Sequence, residues 1–119
     1  MEALKEQVGG AHYKNLPFQP VELFAKTKCS AFQANIWKYI TRYKYKDGWQ
    51  DIRKCRHYAK LALELNCNCN ISNDSVIEEF CRVNKLSPIQ ASIVRNAANN
   101  KYESVIKDCE RLLLNLLFE

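Results

Sequence analysis

Asn35-Ile-Trp-Lys38-Tyr39-Ile-Thr-Arg42-Tyr-Lys-Tyr-Lys46-Asp47-Gly48-Trp49-Gln-Asp51-Ile-Arg-Lys54-Cys-Arg-His57-Tyr58-Ala-Lys-Leu-Ala-Leu-Glu64 is the stretch on which the fold turns. At about 100° per residue, Asn35, Lys38, Tyr39 and Arg42 share one narrow helical stripe, which Lys46 would continue. Phe32, Ile36, Ile40 and Tyr43 form an apolar stripe beside it, so one side can pack while its edge carries amide, phenol and cations. Asp47-Gly48 is a strong stop signal. A second helix is expected from Trp49 to about Leu65, packing through Ile52, Cys55, Ala59, Ala62 and Leu63. Asp51, Lys54 and His57 project from another side. So short a connection makes the two helices antiparallel neighbours.

Outward from this pair the pattern stays helical. Residues 2–8 suit a short helix ended by Gly9-Gly10, and consecutive amides in a glycine turn can cradle an anion. Pro20 is placed as the first residue of a helix over about Val21 to Lys28, with Glu22 in the first turn, where the helix dipole favours a carboxylate. The basic helix should run from about Ala31 to Tyr45. Residues 66–73 form a polar link of Asn, Cys and Ser. Beyond it, Ser75-Val-Ile-Glu78 resembles a capping box, and Ser87-Pro88-Ile-Gln90 is a clearer one. Asn99-Asn100 precedes a last helix, Tyr102 to about Phe118, with a wide apolar face from Val105 to Leu117. No segment alternates with the period of a strand. The expected fold is all-α, with short antiparallel helices in region 1–66 and a C-terminal three-helix appendage in region 73–119 that supports or oligomerises it. The greasy end of the last helix points either to a central position or to a homo-oligomer contact.

Composition narrows the partners. With 47% hydrophobic and 26% charged residues, the chain has an ordinary globular composition. No apolar run approaches the ~20 residues of a membrane span, and the charged N-terminus lacks a signal-peptide core. A cytoplasmic protein with no membrane partner is expected. Residues 1–66 hold twelve Lys/Arg and six Asp/Glu, a net of +6, whereas residues 67–119 have a net of −1. A phosphate-bearing partner should therefore meet the first half. Of the six cysteines, only Cys67 and Cys69 are close in sequence. With just His12 and His57 to complete a ligand set, free thiols and no metal site are expected.

A row of Lys and Arg on a helix is usually a solvated face. The mixture argues for more here, because Arg offers a planar fork of donors and Asn both donates and accepts. Lys38 and Arg42 lie one turn apart with Asn35, so a phosphate touching one is within reach of the other. Lys44 projects about 160° around the helix from Arg42 and should matter little. Tyr13, Tyr39 or Trp49 could stack on a base, although aromatics at such spacing more often pack in a core.

Several linked motifs resemble the SaV-like family of small phage proteins, over about residues 8–64. Gly9, Gly10, His12 and Tyr13 fit its Gly-Gly-x-His-Tyr, and Gln19, Pro20 and Glu22 its Gln-Pro-x-Glu. Asn35, Lys38, Tyr39 and Arg42 fit Asn-x-x-Lys-Tyr-x-x-Arg, followed by Lys46 and Gly48, then Asp51, Lys54 and Tyr58. A member of that family is a nucleotide kinase without a Walker motif. The resemblance thus implies nucleotide handling by a phage or prophage protein in the cytoplasm of its bacterial host. A kinase would use Lys38, Arg42, Lys46 and Lys54 on phosphates, with Asp51 and Glu22 for a metal or for orienting a base, and His12 as acid/base or phosphate donor. Mg²⁺ and ATP would be its cofactor and co-substrate, and no cofactor is implied otherwise. The alternative is a non-catalytic sponge that sequesters a nucleotide or cyclic nucleotide signal of host defence.

A third class is DNA binding through a helix-turn-helix over residues 74–99. Its second helix offers Gln90, Ser92, Arg95, Asn96 and Asn99 with a single cation, and the net −1 of that half argues against phosphate-backbone affinity. No Gly-x-x-x-x-Gly-Lys-Ser/Thr sequence is present, which excludes a P-loop kinase.

Overall fold

The computed structural model describes residues 2–7, 13, 15–45, 48–71 and 73–117. Among them, a short 3₁₀ turn at Ala3–Lys5 precedes six helices and no strand occurs: α1 Pro20–Thr27, α2 Ala31–Arg42, α3 Trp49–Glu64, α4 Asp74–Val83, α5 Pro88–Ala98 and α6 Tyr102–Leu117. The protein is all-α.

Helices α2 and α3 pair along their length. Arg42 meets Asp51, the Ile36 carbonyl meets the Cys55 thiol, and Tyr39 stacks on Tyr58. The end of α2 (Arg42) meets the start of α3 (Asp51), and earlier positions of α2 (Tyr39, Ile36) meet later ones of α3 (Tyr58, Cys55), which makes the pair antiparallel. The turn between them rests on Gly48, whose φ of 51° and ψ of −122° at the α3 N-cap fall in a region that only glycine adopts at low cost. A Cβ there would meet nothing within 4 Å, so the requirement is one of backbone angle rather than space. Helix α2 ends at Arg42, earlier than the expected Tyr45, because residues 43–45 bend into the turn, with Tyr45 N donating to the Arg42 carbonyl and Gly48 N to that of Tyr43.

Two glutamines join the halves of the chain. Gln33 and Gln90 each occupy the third position of a helix behind a serine N-cap, and each Oε1 accepts from that serine's backbone N–H. Their Nε2 groups do something else. Gln33 donates to the carbonyls of Cys69 and Ala97, and Gln90 donates to the carbonyl of Ile40. Trp37 adds a third tie, from Nε1 to the Val94 carbonyl at 3.1 Å. All three side chains are buried, and all three are fully satisfied. The Ser87 box thus forms as the sequence suggests. The Ser75 box does not: α4 starts two residues earlier, with Asn73 at its N-cap, and Glu78 accepts from Arg95 instead.

One apolar core runs from Phe18 and Leu23 through Trp37, Ile52 and Phe80 to Val105 and Leu112. Helix α6 packs against α3 and α5. Its Tyr102, Val105, Cys109 and Leu112 are buried, while Leu114 and Leu117 of the last turns are exposed. The greasy face seen in the sequence is therefore divided, its first part filling the core and its end remaining outside. No helix among the described residues is long and apolar enough to cross a membrane.

Candidate functional site

Tyr39 is the hub of the α2–α3 surface. Three cationic groups converge on its ring: Arg42 Cζ at 4.8 Å, Lys38 Nζ at 5.1 Å and Lys54 Nζ at 5.3 Å from the centroid. Tyr58 stacks on it at 6.0 Å with planes 15° apart. The negative face of a phenol ring attracts cations, so the ring gathers charges that would otherwise repel one another. Beside this pair lies a cleft of about 440 Å³, lined by Tyr39, Arg53, Lys54, Arg56, His57, Tyr58 and Lys60. Among the described residues, four Lys or Arg side chains border it and no carboxylate does. Among the described residues none of these four, nor Lys38, is in an ion pair.

Arg42 has a different position from the one its stripe suggests. Its Nε and Nη2 donate to Oδ2 and Oδ1 of Asp51 at 3.0 and 2.9 Å, a two-pronged pair in which the side chains are 9% and 0% exposed. That carboxylate pushes the Arg42 pKa up further. The expected contact of Arg42 with a phosphate meets a physical obstacle, because its fork is turned towards Asp51 and under the surface. Asp51 in turn is buried and accepts from Arg42 at both oxygens. The pair holds the end of α2 against the start of α3, and so positions Tyr39 and Lys38.

The other residues singled out in the sequence are spread around this hub. The Tyr13 hydroxyl donates to the Lys38 carbonyl at 3.4 Å, and burial pushes its pKa up to about 12, so it remains a donor at neutral pH. Asn35 Nδ2 donates to the carbonyl of Ala31 in its own helix. Glu22 Oε2 accepts from Gln19 N at 2.7 Å, closing the capping box of α1. Trp49 is half-exposed beneath the Arg53 guanidinium and borders an apolar groove with Leu113, Leu116 and Leu117. Gly9, Gly10, His12 and Lys46 lie outside the described residues. Among the described residues, no group of three His, Cys, Asp or Glu is arranged to hold a metal ion.

Residues 8–60 match the model of a family described as a protein of unknown function, DUF3310. The matched region covers α1, α2 and most of α3, including every residue around Tyr39. It excludes α4, α5 and α6. No curated protein and no solved structure matches the chain.

Arg53, Arg56 and Lys60 are the site residues that sequence reasoning passed over. They follow Trp49 at helical spacing on the face that carries His57, a signal that is present in the sequence. Helix α5 supplies the opposite case. Gln90 is buried, Ser92 donates to Asp108, Arg95 pairs with Glu78 and Asn99 donates to the Arg95 carbonyl. The side chains that would read DNA bases are engaged within the chain.

Proposed function

We propose that this protein binds a phosphorylated nucleotide, with the phosphates held in the cleft over Tyr39 and Tyr58 by Lys38, Lys54 and the Arg53, Arg56 and Lys60 side chains. The observation that carries the reading is the cluster of cations that has, among the described residues, no lining carboxylate and no ion-pair partner. Cations confined in a cleft attract an anion more strongly than the same charges scattered over a surface. The motifs shared with SaV-like proteins support a nucleotide as that anion, and the cytoplasm of a phage-infected or lysogenic host as the setting.

Binding without turnover is the form the geometry favours. Phosphoryl transfer needs carboxylates to hold Mg²⁺ or to orient the nucleophile. Of the two candidates in the described residues, Glu22 caps α1 and Asp51 holds Arg42. Sequestration of a nucleotide signal fits such a site better than a nucleoside monophosphate kinase does. Calorimetric titration with nucleotides tests the binding, and incubation with nucleoside monophosphate and ATP–Mg²⁺ tests the turnover. Appearance of nucleoside diphosphate at many equivalents per protein would replace the binding reading with the kinase one. We also propose a homo-oligomer joined through the exposed end of α6, where Leu117 is 76% exposed beside Leu114 and Trp49. Light scattering showing only the monomer mass at micromolar concentration would reject it.

A further inference from the structure

A second cavity, also of about 440 Å³, opens between the N-terminal 3₁₀ turn and α1. Its walls are mostly apolar, from Leu4, Pro20, Val21 and Phe24, with Tyr13 and Lys38 at its edge. Lys38 links the two places: it borders this cavity, and its ammonium lies 5.1 Å from the centroid of Tyr39, which lines the basic cleft. Lys54 Nζ lies 5.3 Å from the same centroid, so the two ammonium groups are no more than about 10 Å apart. A chain of two or three phosphates spans a gap of that order.

We propose that this cavity receives the nucleoside half of the ligand, with Lys38 at the junction between base-sugar and phosphates. The proposal rests on the nucleotide-binding reading above and adds the place and chemistry of the organic part. Three aromatic residues are candidates for holding a base. Tyr39 is already stacked on Tyr58 and pressed by three cationic groups. Trp49 lies under Arg53 and faces the leucines of α6. Trp49 also borders a hollow of about 210 Å³ with Arg53 and Lys54, below the size of a usual ligand pocket, whereas Tyr13 borders the larger apolar cavity. That cavity has the size and the apolar walls of a small-molecule site. It is held in shape from both sides, since Gln19 Nε2 donates to the Leu4 carbonyl and the Gln7 Oε1 accepts from Tyr13 N. A flat base between Phe24 and Leu4, with its phosphates leaving past Lys38, uses both cavities with one ligand. The cleft by itself would take any polyphosphate. The apolar cavity makes the site selective for a nucleotide.

The test is calorimetry on the full chain with inorganic triphosphate and with each of the four common nucleoside 5′-triphosphates. At least one nucleotide should bind tenfold or more tightly than inorganic triphosphate. Val21→Trp, at a half-exposed wall position, should fill the cavity and remove that advantage while leaving inorganic triphosphate affinity within about twofold. Leu4→Trp, from the opposite wall, should do the same, and thermal melts check that both variants fold. Equal binding of nucleotides and inorganic triphosphate would overturn this proposal and leave the anion site standing. A nucleotide preference that survives both tryptophans would place the base elsewhere and overturn it too. If neither kind of ligand bound, the nucleotide-binding reading would fall as well.

Discussion

Replacing Arg42 by alanine should unfold this protein more readily than any other single change on the basic face. The guanidinium donates two hydrogen bonds to Asp51, at 3.0 and 2.9 Å, and the Asp51 side chain is fully buried. Arg42→Ala leaves a carboxylate without its counter-ion in a site that water does not reach. Breaking a buried pair from one side costs about 3–5 kcal/mol. For a chain of 119 residues, each kcal/mol corresponds to roughly 3–6 °C in Tm, so the expected fall is about 9–30 °C. Removing both charges with Arg42→Met and Asp51→Leu should recover most of the loss, since the desolvated charge disappears with its partner. Thermal and urea unfolding followed by circular dichroism measure both effects. An Arg42→Ala protein that melts within about 3 °C of the parent, yet no longer binds nucleotide, would refute the reasoning. It would return Arg42 to the role of a phosphate ligand.

Lys54→Ala and Lys60→Ala should each weaken nucleotide binding three- to tenfold with little change in Tm. Lys44→Ala should leave affinity unchanged, because Lys44 lies in the exposed turn after α2; equal losses from all three would mean general basicity rather than a site. Gly48→Ala should cost about 1–3 kcal/mol in urea unfolding, since its φ and ψ lie where a side chain is strained, and an unchanged midpoint would contradict the turn geometry. In the native protein a small aromatic disulfide reagent should label Cys67 and Cys69 first. Cys55 should resist it, because burial holds its thiol pKa well above the usual value; rapid labelling of Cys55 without unfolding would count against the packing of α3 on α2 and α6.

What was legible in the chain alone follows from local chemistry. Helical periodicity identifies α2, α3 and α6, because apolar stripes at 3.6-residue spacing need no knowledge of what covers them. Asp47-Gly48 marks the turn because the backbone there demands glycine, and Ser87-Pro88 marks a helix start because the serine hydroxyl accepts from Gln90 N in the next turn. The antiparallel α2–α3 pair follows from the shortness of their connection. Other features depended on which surface meets which. Periodicity fixes the angle of Arg42 around its own helix but not the presence of Asp51, nine residues on across a turn, at the end of its reach. The same limit hid the second role of Gln33 and Gln90: an amide that caps its own helix looks surface-like in sequence, yet its other end bridges to a neighbouring backbone. Only the packing of α2 on α3 puts Arg53, Arg56 and Lys60 around one cleft with Tyr39. The end of α6, divided between core and surface, shows the same thing. A stripe records what can be buried, and only the arrangement of the other helices decides how much of it is.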